Sequence, residues 1–583
     1  MFRSILTSRL QAAFSAAGIA IPEGLDVSVA LAADTRFGDY QSNAPMILAK
    51  QLKTNPRALA TQVVEKLEVG DLCEKVAIDG PGFLNFRLSP AALAAKLLTI
   101  VKEASVGVAP VENPRTIVVD FSAPNIAKPM HVGHIRSTFI GDSLARAARF
   151  VGHKVITDNH VGDWGTQFGM IIHGWKTQLN HDALKADPIH ELVSVYKAVN
   201  VAAKADETIL ETCKAELVKL QQGDAENLGI WKECVRLTLE QLERVYTTLD
   251  IKFDHYLGES FFNDALAPLV AEMLTTGVAT ISQGAAVVLS DGGVKPEQDP
   301  FLTQRDGEWV PAPCIIRKGD GGFGYATTDL ATIDYRVNEW KADEIWYVVG
   351  VPQQLHFRQV FAAAQRRCVA TKMIHIAFGS ILGPDGKMFK TRSGETVGLL
   401  EVIDEAMERA RIAVNEKEQG FTDAEKDEIA QIIGGGSVKY AELSQNRLTD
   451  YKFSWDKMLS LQGNTAPYLI NAYVRTRSIF RKLGDTVNLT DDCALTEPAE
   501  IALAMKLAQF AEAVHDVLAD HRPNTLANYL HELANTYHGF YEACHVLNSE
   551  GIVRNTRLLL CEGTSRVLKQ GLELLGIKTT ERM

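Results

Sequence analysis

Two histidines, His131 and His134, lie three residues apart in the stretch SAPNIAKPMHVGHIRS, which covers positions 122–137. A strand-like apolar run, TIVVDF, precedes them, and a helix-like stretch, STFIGDSLARAARF, follows them. The pair is therefore predicted to lie on a turn from a strand into a helix. Such a turn is compatible with a metal site, a phosphate-binding turn, or a capped turn whose histidines have no chemical task.

The surroundings of the histidine pair favour phosphate over metal. A metal would need a third ligand, and the sequence has no H-E-x-x-H motif. Gly133 allows a nucleotide to approach the backbone closely, and the next helix offers free N–H groups at the positive end of its dipole. Imidazole N–H groups would stabilise an α-phosphate as its charge rises. On these residues alone, a capped turn with satisfied histidines is an equally good interpretation.

A second group of charged side chains lies in the stretch GPDGKMFKTRSG, positions 383–394. Lys387 and Lys390 follow a predicted strand, in a loop bounded by glycines. Two ammonium groups on such a loop suit pyrophosphate, whose negative charge must be neutralised as it leaves. Because an isolated K-x-x-K is usually a solvated surface loop, the motif gains meaning only beside the histidine turn.

The elements that would position these groups belong to a long chain of ordinary globular composition. With 583 residues, 46% of them apolar and 23% charged, the chain is expected to form about three domains. Its eight cysteines are scattered without a C-x-x-C motif, which argues against a disulfide framework or a zinc site and fits a reducing cytoplasm. No apolar run is long enough to predict a transmembrane helix. The net charge of −12 argues against non-specific coating of nucleic acid, but a local basic site stays possible.

Hydrophobic periodicity divides the chain into segments. Residues 1–106 mix helical and strand patterns, and 107–115, with two prolines, is typical of a linker. Strands alternate with helices over 116–460, which predicts a parallel sheet with a helical insertion at about 180–250. Residues 461–583 are almost wholly helical in pattern. The first 22 residues carry no acidic side chain, as in a transit peptide, but their apolar spacing favours an amphipathic first helix.

The histidine turn resembles a known signature. PNIAKPMHVGH is similar to the His-Ile-Gly-His signature of class I aminoacyl-tRNA synthetases, and with IRSTFIGD behind it the stretch resembles arginyl-tRNA synthetases in particular. Five further segments extend this resemblance over essentially the whole chain: FGDYQSNAPMILAKQLKTNPR, NHVGDWGTQFG, YATTDLA, NTAPYLINAYVR and LGIKTTERM. The lysine loop matches the second class I signature, Lys-Met-Ser-Lys-Ser, except that Phe389 replaces the middle serine.

The resemblance implies an architecture and a set of site residues. It implies a Rossmann-type α/β catalytic domain with a parallel sheet and a helical insertion, an α+β N-terminal domain that contacts tRNA, and an all-α C-terminal bundle that binds the anticodon. The residues implied to bind ATP are Pro124, Asn125, His131, Gly133, His134, Lys387 and Lys390; the two histidines and two lysines among them are implied to be catalytic. Those implied to bind arginine are Asp120, Asn125, His134, Tyr325, Asp329 and Gln353, with Gln354 as the alternative to Gln353. Those implied to contact tRNA are Tyr468, Tyr473, Arg475 and Met583.

The implied arginine pocket agrees with the chemistry of its ligand. A guanidinium is planar and permanently charged, so carboxylates that can form forked hydrogen bonds hold it best. In the resemblance, Asp120, Tyr325 and Asp329 hold this group, and the remaining pocket residues surround the α-amino and carboxylate groups. Each carboxylate taken alone would be interpreted as a helix cap or a surface group.

The implied activity is the formation of arginyl-adenylate and pyrophosphate from arginine and ATP with Mg²⁺, followed by transfer of arginine to the 2′-hydroxyl of the terminal adenosine of tRNA(Arg). We expect the enzyme to be a cytoplasmic monomer that has no structural metal and no membrane partner. We also expect it to need bound tRNA before it activates arginine. Two alternatives are a catalytically silent tRNA-binding paralogue and another nucleotidyltransferase with the same H-x-G-H turn. The intact histidines, lysines and acids oppose the first alternative, and the chain length with its helical tail opposes the second.

Overall fold

The structure is a computed structural model that describes residues 1–383, 386, 397–417, 420–484 and 487–583. It divides into two compact units. The terminal unit comprises residues 1–110, 460–573 and 578–583, and the central unit comprises residues 111–459 and 574–577.

The N-terminal part of the terminal unit is a four-stranded antiparallel sheet, in the order β1-β2-β4-β3, with four helices. Its elements are α1 (Phe2–Ala16), β1 (Ala30–Leu31), β2 (Tyr40–Ser42), α2 (Ala44–Leu52), α3 (Pro56–Val64), β3 (Cys73–Asp79), β4 (Phe83–Leu88) and α4 (Pro90–Lys102). The expected first helix is present, and it buries Leu6, Leu10 and Phe14. Helices α3 and α4 each begin with a side-chain cap followed by proline, because proline lacks only an N–H that a first turn leaves unpaired.

The central unit contains eleven strands and twelve α-helices within the part of the chain that the structure describes. The strands are β5 (Thr116–Asp120), β6 (Lys154–Asp158), β7 (Thr280–Ser282), β8 (Ala285–Val288), β9 (Leu302–Arg305), β10 (Glu308–Pro311), β11 (Cys314–Arg317), β12 (Glu344–Tyr347), β13 (Lys372–His375), β14 (Ile381–Leu382) and β15 (Tyr451–Lys452). The helices are α5 (Gly133–Phe150), α6 (Thr166–Gln178), α7 (His181–Ala186), α8 (Pro188–Ala205), α9 (Glu207–Gln221), α10 (Ala225–Thr248), α11 (Asn263–Thr275), α12 (Tyr325–Asn338), α13 (Gln354–Arg366), α14 (Leu399–Lys417), α15 (Asp423–Leu443) and α16 (Trp455–Met458). Two short 3₁₀ helices span Glu259–Phe262 and Val351–Gln353.

A four-stranded parallel sheet, in the order β13-β12-β5-β6, is the centre of this unit. The inner strand β5 carries the apolar run Ile117–Val119, which is fully buried, as expected for a parallel strand covered on both faces. Helix α5 crosses from β5 to β6 so closely that a Cβ on Gly141 would overlap the ring of Phe121. The predicted Rossmann-type sheet is therefore confirmed, and its register aligns the last residues of all four strands.

The region between β6 and β12 contains two kinds of insertion. Helices α7 to α10 form the helical insertion that the sequence predicted at about 180–250. The chain then forms a three-stranded antiparallel sheet, β11-β8-β7, and the hairpin β9–β10, which the strand–helix alternation did not predict. Residues of β8, β11, α11, α12 and α13 share one apolar core that extends to β5 and β12.

The C-terminal part of the terminal unit is helical, as predicted. It consists of α17 (Ala466–Leu483), α18 (Pro498–Ala508), α19 (Phe510–Asp520), α20 (Pro523–Ala543) and α21 (Gly551–Leu574). This bundle packs on the N-terminal part of the same unit, where Tyr40 donates a hydrogen bond to buried Glu512 at 2.8 Å. All eight cysteines are free thiols. Among the helices of the described residues, none is long and apolar enough to cross a membrane.

Candidate active site

The two histidines lie at the carboxyl edge of the parallel sheet, where β5 leads into α5. Their ring centroids are 4.1 Å apart. The Nδ1 atom of His131 accepts a hydrogen bond from the backbone N–H of Gly133, at 3.0 Å, and the Nδ1 atom of His134 accepts one from the N–H of His131, at 3.1 Å. In the neutral ring each Nε2 atom must then carry the proton. Both imidazoles are thereby fixed as Nε2–H donors.

The electrostatic surroundings keep both rings neutral. Burial, and after it the charge of His131, lowers the pKa of His134 to about 4. Burial, and after it the charge of Lys128, lowers the pKa of His131. Two neutral N–H donors therefore lie beside the N-terminus of α5, where unpaired backbone N–H groups favour an anion. This combination suits a phosphate whose negative charge increases during a reaction.

The segment that approaches the histidines has an unusual backbone. Ser122, Ala123 and Ala127 have positive φ angles of 72°, 45° and 57°. Between these points, the backbone of Pro124 accepts a hydrogen bond from Gly162 at 3.1 Å, and Gly162 accepts one from Ile126 at 3.0 Å. A Cβ at position 162 would overlap the Asn125 side chain, so a larger residue there would displace that side chain. We name residues 122–127 the approach turn.

The chain beyond the lysine loop returns to the histidine turn. Val132 donates a backbone hydrogen bond to Val397 at 3.1 Å, and Leu399 donates one to Met130 at 3.0 Å. His131 and Gly398 form an antiparallel bridge between these two contacts. The predicted phosphate-binding residues Lys387 and Lys390 lie outside the described residues.

The predicted Asp120 belongs to a row of polar residues at the ends of the four parallel strands. The register places His375, Tyr347, Asp120 and Asp158 side by side. From helix α12, the Nη2 atom of Arg336 donates to Asp120 Oδ2 and to Asp158 Oδ2, at 2.7 Å in each case. All three side chains are buried. Asp120 therefore holds a guanidinium of the protein itself, an arrangement that the sequence did not predict.

This triad is unbalanced in charge, because two carboxylates face one guanidinium. Burial raises the pKa of Asp120; the charges of Arg336 and His160 oppose this rise, and that of Asp158 adds to it. The Arg336 guanidinium also lies 5.4 Å from the centroid of the Tyr347 ring. With both carboxylates ionised, the row would carry one negative charge in excess and would attract a cation placed next to it.

The predicted Asp329 lies in a more open cluster. It is the fifth residue of α12, and its Oδ2 atom is 2.5 Å from His356 Nε2 on α13. Burial alone would lower the pKa of His356, but the hydrogen bond and the charge of Asp329 raise it. Tyr325, at the start of α12, is 76% exposed, so its ring is open to a ligand. Gln353 and Gln354 are both exposed, and they lie three and two residues before His356.

Glu259 is a candidate that the sequence analysis missed. Burial raises the pKa of this carboxyl to about 7; the charge of His160 opposes the rise, while those of Asp163 and Asp329 add to it. A positive charge on His160 would act on both Asp120 and Glu259. Neutralisation of Glu259 and Asp329 by a guanidinium would remove this repulsion. No local pattern marked Glu259, since its neighbours come from distant parts of the chain.

In the terminal unit, one group of predicted RNA contacts is brought together. The Tyr468 hydroxyl, on α17, is 2.5 Å from Asn535 Oδ1 and 2.8 Å from His538 Nδ1, both on α20. Arg475 is exposed, and its positive charge acts on Tyr468 and His538. Aromatic rings beside a free guanidinium suit an unstacked base.

Tyr473 and Met583, also predicted to contact tRNA, lie elsewhere in this unit. The Tyr473 ring is only 3% exposed, and its hydroxyl donates to Glu581 at 2.5 Å. A base cannot stack on the ring as it is packed here, and Tyr473 instead anchors the C-terminal tail. Met583 ends that tail and is partly exposed.

A parallel sheet whose first strand leads into a His-x-Gly-His turn is the arrangement of the catalytic core of a class I aminoacyl-tRNA synthetase. Residues 97–455 match the family model described as tRNA synthetases class I (R), catalytic domain. Residues 469–583 match the DALR anticodon binding domain, and residues 4–88 match the arginyl tRNA synthetase N terminal domain.

Known relatives agree over the full length. The chain is 44% identical to an arginine–tRNA ligase of Chromobacterium violaceum, with 99% of each chain covered. It is 42% identical to that of Saccharophagus degradans, with 100% of each covered. It superposes on the arginyl-tRNA synthetase of Plasmodium falciparum with a TM-score of 0.83 and 29% identity, covering 100% of this chain and 99% of the other. The chain belongs to the arginyl-tRNA synthetase family.

Proposed function

We propose that this chain is an arginine–tRNA ligase that forms arginyl-adenylate and pyrophosphate from L-arginine and ATP, and then transfers arginine to the 2′-hydroxyl of the terminal adenosine of tRNA(Arg). One observation carries this proposal. Two neutral Nε2–H donors lie at a helix N-terminus that follows β5, the strand that ends at Asp120. Helix α12 carries both Arg336, which binds Asp120, and Asp329 of the second carboxylate group. An anion site and a cation site are what the adenylation of arginine requires.

ATP is proposed to bind at the approach turn and the histidine turn. Pro124, Asn125 and Gly133 would contact the nucleotide through their backbone and small side chains. His131 and His134 would donate their Nε2–H groups to the α-phosphate as the arginine carboxylate attacks it and charge accumulates. ATP would arrive with its Mg²⁺, and Lys387 and Lys390 are proposed to neutralise the departing pyrophosphate. No protein nucleophile takes part, because positioning and charge stabilisation are sufficient.

Arginine is proposed to bind between the two carboxylate groups. Asp329 would hold the guanidinium, assisted by Glu259 and by the open ring of Tyr325. Gln353 and Asn125 would hold the polar groups around the α-carbon. Asp120, which is already paired with Arg336, would contribute the excess negative charge of its row.

For tRNA we propose a division between the two parts of the terminal unit. Tyr468 and Arg475, with Met583 at the tail, would contact the anticodon, and residues 1–106 would contact another part of the tRNA. Tyr473 would act indirectly, through its hydrogen bond to the tail. The chain is proposed to work as a cytoplasmic monomer with domains at 1–106, 116–460 and 461–583.

Arginine-dependent ATP–pyrophosphate exchange, measured with and without tRNA(Arg), tests the proposal. We expect exchange only when both arginine and tRNA(Arg) are present. A folded protein that binds tRNA(Arg) but shows no exchange in its presence would instead be a silent tRNA-binding paralogue. His134→Ala should reduce kcat by about 10²–10³, as the loss of one charge-stabilising donor does, with unchanged tRNA affinity. His190→Ala, at an exposed position on α8, is the matched control and should have no effect.

A further inference from the structure

The approach turn needs an external support, because three of its residues adopt a backbone conformation that side chains disfavour. Ser122, Ala123 and Ala127 all have positive φ angles, and none is a glycine. Such residues persist only where surrounding contacts hold them in place. Between them lie Pro124 and Asn125, which are proposed to contact substrate, so whatever holds the turn also positions these two residues.

Helix α10 of the helical insertion supplies contacts at both ends of the approach turn. The hydroxyl of Tyr246 shares a hydrogen bond of 2.7 Å with the Ser122 hydroxyl. The Oγ1 atom of Thr238 accepts a hydrogen bond of 3.1 Å from the backbone N–H of Ala127. Tyr246 and Thr238 are buried and lie about two helical turns apart on α10.

The middle strained residue is held through the same tyrosine. The Nδ2 atom of Asn159 donates to the Tyr246 hydroxyl at 2.9 Å, and its Oδ1 atom accepts a hydrogen bond of 3.0 Å from the Ala123 N–H. Tyr246 therefore fixes Ser122 directly and Ala123 through Asn159. Contacts from two side chains of α10 therefore reach all three strained positions, directly or through Asn159, while Ser137 and Thr138 of α5 also bond to Ser122.

We propose that Tyr246 and Thr238 are positioning residues for the adenylation site: helix α10 holds the approach turn in its strained form and so places Pro124 and Asn125 for substrate. Neither side chain takes part in the reaction. The helical insertion therefore has a task within the catalytic unit, beyond the packing of its own helices. The kinetic part of this proposal rests on the proposed function, whereas the structural part does not.

The variants Tyr246→Phe and Thr238→Val remove one hydroxyl each and keep the buried shape. Thr238→Ser retains the hydroxyl and should behave as the wild type. Two controls match them closely: Thr248→Val, on the same helix, where the hydroxyl donates to the Arg244 carbonyl at 2.9 Å, and Tyr256→Phe, whose hydroxyl is 3.4 Å from Glu243. All are tested in the full-length protein.

Hydrogen exchange of the amides in residues 122–127 tests the support without any activity. We expect exchange there to be about 10-fold faster in Thr238→Val and Tyr246→Phe, the equivalent of one net hydrogen bond, and unchanged in the controls. Unchanged exchange in folded variants would overturn the proposal. The hydrogen-exchange measurement does not depend on activity. If the wild type showed no arginine-dependent activity, the proposed function would be refuted, but the support of the approach turn would still be tested.

Kinetics per titrated active site test the positioning role. We expect kcat/KM for ATP–pyrophosphate exchange to fall about 10-fold for each variant, with a higher KM for ATP or arginine. A smaller folded fraction alone would reduce the number of titrated sites and leave KM unchanged. If exchange of the approach-turn amides accelerates while kcat and KM per site stay at wild-type values, α10 supports the turn but does not position substrate, and the proposal fails.

Discussion

The central unit contains two groups of carboxylates that differ in their burial and in their partners. Asp120 and Asp158 are buried and are ion-paired with the guanidinium of Arg336. Asp329 and Glu259 are partly exposed: Asp329 contacts His356, and burial together with the charge of Asp329 raises the pKa of Glu259. The first group is a permanent ion cluster of the fold, and the second is open to a ligand of the same chemistry. The fold thus keeps one guanidinium as a buried part of its structure and leaves a second pair of carboxylates accessible.

The largest effect should come from breaking the buried ion cluster of Asp120, Asp158 and Arg336. Replacement Arg336→Met would leave two buried carboxylates unpaired, and we expect the free energy of unfolding in urea to fall by about 3–5 kcal/mol. Arg336→Lys should restore part of the loss because it keeps the charge. Arg236→Met, which breaks exposed ion pairs on α10, should have almost no effect. A cost for Arg336→Met as small as that of Arg236→Met would show that the cluster is not structural.

Substitutions in the Asp329–Glu259 cluster should change arginine binding rather than the stability of the fold. For Asp329→Asn we expect the KM for arginine to rise about 100-fold, since a charged hydrogen-bonding partner of the guanidinium is lost. Its urea midpoint should change little, because Asp329 is partly exposed. Asp334→Asn, on the same helix but paired with Arg367, is the control. An unchanged KM for Asp329→Asn would remove this residue from the pocket.

The pH dependence of arginine binding should further distinguish the Asp329–Glu259 cluster from the buried ion cluster. Because the pKa of Glu259 is raised to about 7, the carboxyl is largely protonated at pH 6 and ionised at pH 8. If only the ionised form binds, the KM for arginine should fall by about 10-fold between these pH values. Glu259→Gln should flatten this profile. A steep profile that persists in the variant would assign the titration to another group.

The same shift gives a prediction for stability, with the opposite sign. Since the folded state holds the Glu259 proton more tightly than the unfolded state, this group stabilises the fold below its unfolded pKa of 4.5. That contribution is lost as the pH rises towards 7. Without arginine, Glu259→Gln should therefore unfold at a higher urea concentration than the wild type at pH 8, and the two should approach each other at pH 5.

The smallest effect is expected from His356. His356→Asn keeps a polar side chain but removes the 2.5 Å contact that orients Asp329. We expect the KM for arginine to rise by about 3–10-fold at pH 8, the effect of one hydrogen bond, with unchanged kcat. An equal change in the KM for ATP would indicate a general disturbance of the site instead.

The sequence indicated the histidine turn, the parallel sheet and the helical insertion because each has a local pattern: an apolar strand, a signature, or a helical period. It missed Arg336, which lies 216 residues from its partner Asp120, because no local pattern reports a contact made only by folding. Glu259 was missed for the same reason. The antiparallel strands β7 to β11 were missed because they are three or four residues long, too short to show an alternation. Tyr473 is the opposite case, because the sequence predicted a contact that its position does not allow. The Tyr–Arg pattern could not show that its ring faces inward.

The open carboxylates also affect how this protein should be denatured. Guanidinium chloride, a common denaturant, carries the same ion that the Asp329–Glu259 cluster is proposed to bind. At low concentration it should compete with arginine and occupy the cluster, which stabilises the folded state, before it unfolds the chain at high concentration. Unfolding curves in this salt would then begin with a rise in stability that urea, which is uncharged, does not produce.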